Sequence, residues 1–114
     1  QYFSQQTELI KEIHKQLTEQ LDQRFTIAEL SKQYLINTST LKEIFKAVYG
    51  QPIATYMKEF RVRQAMKLLR ETNATIANIA SQVGYQTQGK FSSAFQSIVK
   101  MSPREYRKIQ GIQK

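Results

Sequence analysis

Large apolar residues recur at helical spacing along most of the chain. Near the start they stand four residues apart: Leu9, Ile13, Leu17 and Leu21. This spacing places them on one face of a first helix. No stretch of useful length alternates apolar and polar residues with the period of two that is typical of a half-buried strand. The pattern therefore predicts an all-α fold.

Local start and stop signals divide the first half of the pattern into short helices. Thr26 and Glu29 have the spacing of a capping box, which opens a second helix. After a turn over residues 35–38, Gly50 closes a third helix. The residues of that helix predicted to point inward are Leu41, Ile44, Phe45 and Val48.

The second half contains four further predicted helices. A longer fourth helix runs from about residue 53 to residue 70, and Thr75 opens a fifth. Gly84 and Tyr85 interrupt the apolar pattern, and a sixth helix follows with Phe91, Ala94, Phe95 and Ile98. Pro103 suits the first turn of a seventh helix. Two residues are expected to pack there: Tyr106 and Ile109.

The chain also contains an internal duplication. TIAELSKQ at 26–33 matches TIANIASQ at 75–82, and LKEIFKAV at 41–48 matches FSSAFQSI at 91–98. Each copy is a short helix, a tight turn and a second helix, which predicts a helix-turn-helix. Gly84 is expected to adopt a positive φ in the second turn. The polar run 86–90 is then the exposed N-terminus of a recognition helix, where side chains and free backbone amides can contact DNA.

Helical geometry indicates which residues of these two helices face outward. In the third helix they are Ser39, Lys42, Glu43 and Lys46, and in the sixth they are Gly89, Ser92, Ser93 and Gln96, with Gln88 at the leading end. Polar stripes are often only solvated faces. Because both stripes occupy equivalent places in duplicated modules, DNA contact is the favoured interpretation.

Charge supports the same interpretation. The net charge is +8, but residues 1–39 sum to −1 and residues 40–114 sum to +9. Basic charge concentrated in one part of the chain creates an electrostatic field that attracts a polyanion. The alternatives are a basic surface with no partner and a helical protein-interaction module whose basic face binds an acidic protein.

The amino-acid composition excludes several kinds of site and several functional classes. There is no cysteine, so disulfides, thiolate metal sites and a cysteine nucleophile are excluded. The single histidine, His14, is interpreted as a packing residue beside the first apolar stripe. No metal or cofactor is expected. No apolar run approaches the length of a membrane span and no signal peptide is recognisable, so the cytoplasm is expected. The chain begins with Gln1, which leaves open whether it is a fragment.

These motifs together resemble the DNA-binding domain of the AraC/XylS family of bacterial transcription regulators. TIAELSKQYLINTSTLKEIFKAVYG is similar to the first helix-turn-helix of the family and YMKEFRVRQAMKLL to its linker helix. The second module carries the most diagnostic signature: Ile79-Ala80, Val83-Gly84-Tyr85, Phe91, Phe95, Ser102-Pro103 and Tyr106-Arg107. The resemblance extends from about residue 7 to residue 109. The chain departs from the family pattern at Pro52, Gly89 and Lys100.

The resemblance implies two modules whose recognition helices enter successive major grooves of DNA. Candidate base-contacting residues are Ser39, Thr40, Lys42, Glu43, Gln88, Gly89, Ser92 and Ser93. Candidate phosphate-contacting residues are Thr26, Lys46, Arg61, Arg63, Thr75, Lys90, Gln96, Arg104 and Lys108. A bracing role for Arg61 in the linker helix is the alternative to phosphate contact.

The expected organisation is two helix-turn-helix subdomains, 7–52 and 71–110, joined by a linker helix, 53–70, with tails at 1–6 and 111–114. The expected function is sequence-specific binding of double-stranded DNA to regulate bacterial transcription. Implied partners are RNA polymerase and a fused N-terminal sensing or dimerisation domain. An enzyme is not expected, since the repair methyltransferases that carry a related module need a cysteine.

Overall fold

The computed structural model describes residues 4–111, which form seven α-helices and no β-strand. The helices are α1 (Ser4–Glu19), α2 (Ile27–Tyr34), α3 (Thr38–Tyr49), α4 (Ile53–Glu71), α5 (Ile76–Gln82), α6 (Gln88–Val99) and α7 (Pro103–Gln110). The all-α prediction is confirmed. Of the two predicted tails, residues 1–3 and 112–114 lie outside the described residues. Helix α1 begins at Ser4, inside the stretch predicted to be the N-terminal tail.

Side-chain caps determine where several helices begin. The Thr26 hydroxyl accepts from the Glu29 amide at 3.0 Å, and the Glu29 carboxylate accepts from the Thr26 amide at 2.8 Å. The predicted capping box is therefore confirmed. A second box opens α7, where Ser102 and Glu105 exchange the same two bonds at 3.1 and 3.0 Å. Such boxes satisfy amides that the first turn of a helix leaves without intrahelical acceptors.

The chain divides into two compact units after Met57, a residue inside α4. The first turn of α4 thus belongs to the first unit, and the rest of this helix belongs to the second. The predicted subdomain limits at residues 52 and 71 stay predictions.

The core of the first unit is formed by α1, α2 and α3. Its fully buried side chains are Ile10, Ile13, Leu30, Leu41, Ile44 and Phe45. The prediction that Val48 points inward was wrong, because this side chain is 37% exposed. In the same last turn of α3, the Tyr49 ring packs on His14 of α1, whereas Val48 lies on a side of the turn that remains exposed.

The core of the second unit joins the greater part of α4 to α5, α6 and α7. Its most buried apolar side chains are Val62, Ala65, Leu69, Ile79, Val83, Phe91 and Phe95. Tyr106 is buried against Phe95, with ring centroids 5.6 Å apart. The expected packing of Ile109 was wrong, since it is 62% exposed near the end of α7.

The two helix-turn-helix turns use one hydrogen-bond pattern with different residues. In the first unit Leu35 has a φ of 54°, and the following amide donates to the Ser31 carbonyl at 3.0 Å. In the second unit Gly84 has a φ of 90°, and the following amide donates to the Ala80 carbonyl at 2.9 Å. Both turns contain the six-to-one bond of a Schellman motif, and in the second unit Gly84 adds the inner bond by donating to the Ser81 carbonyl at 3.1 Å. The predicted positive φ at Gly84 is confirmed.

His14 lies in an aromatic cluster of the first unit. Its ring stacks on Tyr49 with centroids 4.3 Å apart, and its Nε2 shares a hydrogen bond of 2.8 Å with the Tyr56 hydroxyl. Burial lowers the pKa of His14 from its ordinary value of 6.5, because the charged imidazolium loses water in this cluster. The histidine packs between helices, as the sequence predicted.

We expect the stability of the first unit to fall as the pH is lowered through about 6.5. The folded pKa of His14 lies below the unfolded one, so the unfolded state binds more protons in that window, and protonation favours unfolding. The measurement is the melting temperature from about pH 7.5 to about pH 5. His14→Gln, which does not titrate, should lack this loss, and an equal pH dependence in both proteins would contradict the assignment.

Candidate nucleic-acid interface

The first turn of α3 is held by a side-chain cap. The Asn37 carboxamide oxygen accepts from the amides of Ser39 and Thr40, at 2.8 and 3.2 Å. Asn37 lies in the stretch that the sequence predicted only as a turn, although asparagine is among the preferred N-cap residues. The cap fixes the direction in which α3 leaves the turn.

The predicted outward face of α3 is exposed. Ser39, Lys42, Glu43 and Lys46 are exposed, whereas Thr40 is half-buried. The face therefore carries two ammonium groups and one carboxylate. Lysine can donate to guanine O6 and N7, and glutamate can accept from cytosine N4. The chemistry of the face suits direct reading of base edges.

A groove of about 710 Å³ runs along this face within the first unit. One wall is α3, and the other is formed by the start of α2 and the start of α4. Sequence reasoning missed this second wall, where the groove is lined by Pro52, immediately before α4, and by the first two residues of α4, Ile53 and Ala54. Pro52 takes the position that Ser102 has in the second unit. This correspondence between the two modules was the signal in the sequence that could have placed the start of a helix at Pro52.

The start of α6 mirrors that of α3. The Thr87 hydroxyl accepts from the Lys90 amide at 3.1 Å, and both helices are 12 residues long. Gln88, Gly89 and Ser93 are exposed, and Ser92 is half-buried. Unlike the charged face of α3, these positions carry only short or uncharged side chains. The glutamine can pair with adenine N6 and N7 through its carboxamide.

Eight of the nine predicted phosphate-contacting residues are exposed: Thr26, Lys46, Arg63, Thr75, Lys90, Gln96, Arg104 and Lys108. Thr26 and Thr75 cap α2 and α5, since each hydroxyl accepts an amide of its helix at 3.0 Å. Arg63 lies 3.9 Å from the Glu59 carboxylate, a loose ion pair of adjacent turns that can exchange for a phosphate.

Arg61 requires a correction, because its predicted phosphate contact does not fit its position. The residue is only 2% exposed, and its Nη1 donates to the Val83 carbonyl at 2.7 Å. A guanidinium covered in this way cannot reach DNA from the surface. The alternative role, bracing the fourth helix, agrees with the geometry, since the bond joins α4 to the turn between α5 and α6.

A second arginine brace joins α7 to the end of α4. Arg107 donates to the carbonyls of Leu69 and Thr72, each at 3.2 Å. Beside it, Arg70 donates to the Tyr106 hydroxyl at 2.7 Å. Carbonyls in the last turn of a helix lack intrahelical donors, and the bond to Leu69 supplies a donor to one of them. Together these bonds hold α7 against the end of α4. Sequence reasoning noted the Tyr106-Arg107 pair without this role.

Within residues 4–111, no group of three or more histidine, aspartate or glutamate side chains is placed to hold a metal ion. In the same part of the chain, no helix combines the length and apolar character that a membrane span requires. The surfaces that stand out are the outward faces of α3 and α6.

Comparison with known proteins agrees with these features. A family profile described as "Helix-turn-helix domain" matches residues 30–109. A Streptomyces lividans transcription regulator described as AraC-like is 40% identical over 84 residues, which cover 74% of this chain and 28% of that protein. The chain belongs to the AraC/XylS family. AraC/XylS proteins are transcription regulators and not enzymes.

Solved structures of AraC-type domains have the same fold. The C-terminal domain of AraT, a response regulator from Geobacillus stearothermophilus, superposes with a TM-score of 0.87 at 25% identity and covers 93% of this chain and 88% of that one. The DNA-binding domain of AdpA, solved with a target DNA, gives a TM-score of 0.82 at 21% identity, with coverages of 88% and 90%. At that identity the AdpA likeness shows the fold alone.

Proposed function

We propose that the chain binds double-stranded DNA in a sequence-specific manner and regulates bacterial transcription as the output domain of a longer protein. The observation that carries this proposal is the repeated arrangement of α3 and α6. Each helix follows a turn with one residue of positive φ, begins at a side-chain cap and exposes a polar face from its first turn. A recognition helix contacts base edges with residues near its N-terminus.

The two faces are proposed to read two half-sites. In the first unit, Lys42 and Glu43 would contact bases and Lys46 a phosphate. In the second unit, Gln88 has the longest side chain of the proposed base-contacting residues, while Lys90 would bind a phosphate of the DNA backbone. Arg61 is left out of the phosphate set because it is buried. Thr40 and Ser92, both half-buried, remain in the base-contacting set with less of their side chains available.

RNA polymerase and a fused sensing or dimerisation domain are the further partners proposed. The chain spans 28% of the length of the Streptomyces lividans relative, which leaves room there for such a domain. Because the proposed target is bacterial chromosomal DNA, the proposed location is the cytoplasm.

The proposal is tested by selecting preferred sites from a random DNA pool. We expect Lys42→Ala to relax base preference in one half-site and Gln88→Ala to relax it in the other, each costing about 1–3 kcal/mol at its base. The reason is that a bidentate contact to one base discriminates against the other three, whereas a phosphate contact does not. Sequencing of the selected pools gives the preference at every position.

The matched control for this selection is Lys46→Ala, which removes a lysine one turn further along α3. We expect it to weaken all sequences alike and to leave the preferred site unchanged. If Lys42→Ala and Gln88→Ala also lowered affinity evenly at every position, the base-reading assignment would be wrong. Selection of no site by the unaltered protein, with tight binding to an acidic protein, would favour the interaction module.

Binding should also depend steeply on salt. If about six phosphates are neutralised, log K should fall with log salt concentration at a slope of about −5, because each contact releases condensed counterions. The slope is measured by titrating the selected site between about 50 and 200 mM salt. Arg104→Ala and Lys108→Ala should each reduce it by about 1. A slope near zero would exclude the polyanion as ligand.

A further inference from the structure

Gly89 is a glycine for which the fold supplies no reason. It is the second residue of α6 and is exposed. Among the described glycines, positive φ occurs at Gly50 and Gly84 and not here. A Cβ at Gly89 would have no heavy atom within 4 Å apart from its own helix backbone and chain neighbours. Glycine is also a poor helix former, so its presence weakens α6 without any internal compensation.

The duplicated module confirms that a helix-turn-helix does not require glycine at this place. Helices α3 and α6 are both 12 residues long, and Ser39 occupies in α3 the position of Gly89 in α6. Both residues are exposed and both follow a capped N-terminus. The difference must therefore act outside the fold, on what approaches α6 from solvent.

We propose that Gly89 allows the backbone of α6 to lie against the C5 methyl group of a thymine in the major groove. The inference rests on the proposed DNA-binding function and adds the base and the atom that this part of the second unit reads. The hydrogens on the glycine Cα are apolar, and thymine is the base that presents a methyl group in that groove. A Cβ on Gly89 would occupy the space into which the methyl group fits, since glycine permits the closest approach of a backbone to a ligand.

The neighbouring positions of α6 are compatible with such an approach. Ser92 and Ser93 are short, and Gln88 lies at the leading end of the helix, where it can reach an adjacent base. Ser92 and Ser93, one turn further along α6, are too short to hold the helix away from a base edge at Gly89. The second unit would therefore read a thymine by close backbone contact, whereas the first unit reads its half-site with long charged side chains.

The test combines Gly89→Ala with removal of the thymine methyl group. Deoxyuridine replaces each thymine of the second half-site in turn, within the site that the unaltered protein selects. We expect one replacement to weaken binding of the unaltered protein about four-fold, the effect of one buried methyl group. Gly89→Ala should bind the thymine site about ten-fold more weakly and should not respond to that replacement. Its melting temperature should stay the same or rise by about 2 °C.

Ser97→Ala is the matched control, a small change on the same helix about 12 Å further along. It should keep both the affinity and the response to deoxyuridine. The inference is overturned if Gly89→Ala binds as tightly as the unaltered protein, or if it responds equally to deoxyuridine. If the unaltered protein has selected a site, neither of these outcomes contradicts the proposed DNA-binding function. Failure of the unaltered protein to select any site overturns both.

Discussion

Replacing Arg61 with alanine is expected to destabilise the second unit by about 3 kcal/mol. The guanidinium is 2% exposed and donates to the Val83 carbonyl at 2.7 Å. Truncation leaves this carbonyl at the helix-turn-helix turn without its arginine donor and opens a cavity in the core, and both effects favour unfolding. Urea denaturation followed by far-ultraviolet circular dichroism measures the change.

Arg63→Ala is the matched control for Arg61→Ala. Arg63 lies two residues away on the same helix, but it is exposed and its ion pair with Glu59 is 3.9 Å long. It should change stability by less than about 0.5 kcal/mol. It should also weaken DNA binding, because it belongs to the proposed phosphate set. If Arg61→Ala were as stable as Arg63→Ala and bound all DNA more weakly, Arg61 would contact phosphate after all.

Gly84→Val is the second large effect expected, a loss of about 3 kcal/mol from the second unit. Gly84 has a φ of 90°, which a β-branched residue strongly resists, and it is buried. The valine would be strained in its backbone, at a position where the chain is buried. Because this turn sets the direction of α6, we expect DNA binding to be lost together with stability.

Leu35→Gly provides the opposite test at the equivalent turn of the first unit. Leu35 has a φ of 54° and is 91% exposed, so it bears backbone strain with little burial to offset it. Glycine should raise the stability of the first unit by about 1 kcal/mol. The two variants are compared by thermal unfolding. An unchanged melting temperature in Gly84→Val would contradict this account of the turn.

Most of the helix boundaries could be predicted because they depend on local interactions. The Thr26 capping box and the glycine at position 84 satisfy backbone groups only a few residues away. Their signals are therefore contained in short stretches of sequence. The duplicated pattern showed that α3 and α6 are equivalent helices of the two modules. Both candidate recognition faces could therefore be located without knowing which distant residues are in contact.

Arg61 shows where this kind of reasoning fails. It lies four residues before Ala65 and eight before Leu69, so helical geometry puts it on the buried stripe of α4. A signal of burial was therefore present, but arginine is rarely buried, and the surface role was the ordinary expectation. The residue that compensates the burial, Val83, is 22 positions away. The partner that makes a buried arginine tolerable cannot be identified from residues near it in sequence.

The sequence by itself determined the all-α class, the two helix-turn-helix modules, the family and the outward faces of α3 and α6. These depend on periodicity, caps and turn chemistry, which act over a few residues. Only the tertiary structure decided which predicted inward positions are covered, as Val48 and Ile109 demonstrate, and which residues wall the groove beside α3. The physical reason is that burial depends on which side of a helix its neighbours cover. That coverage is set by packing between residues far apart in the chain.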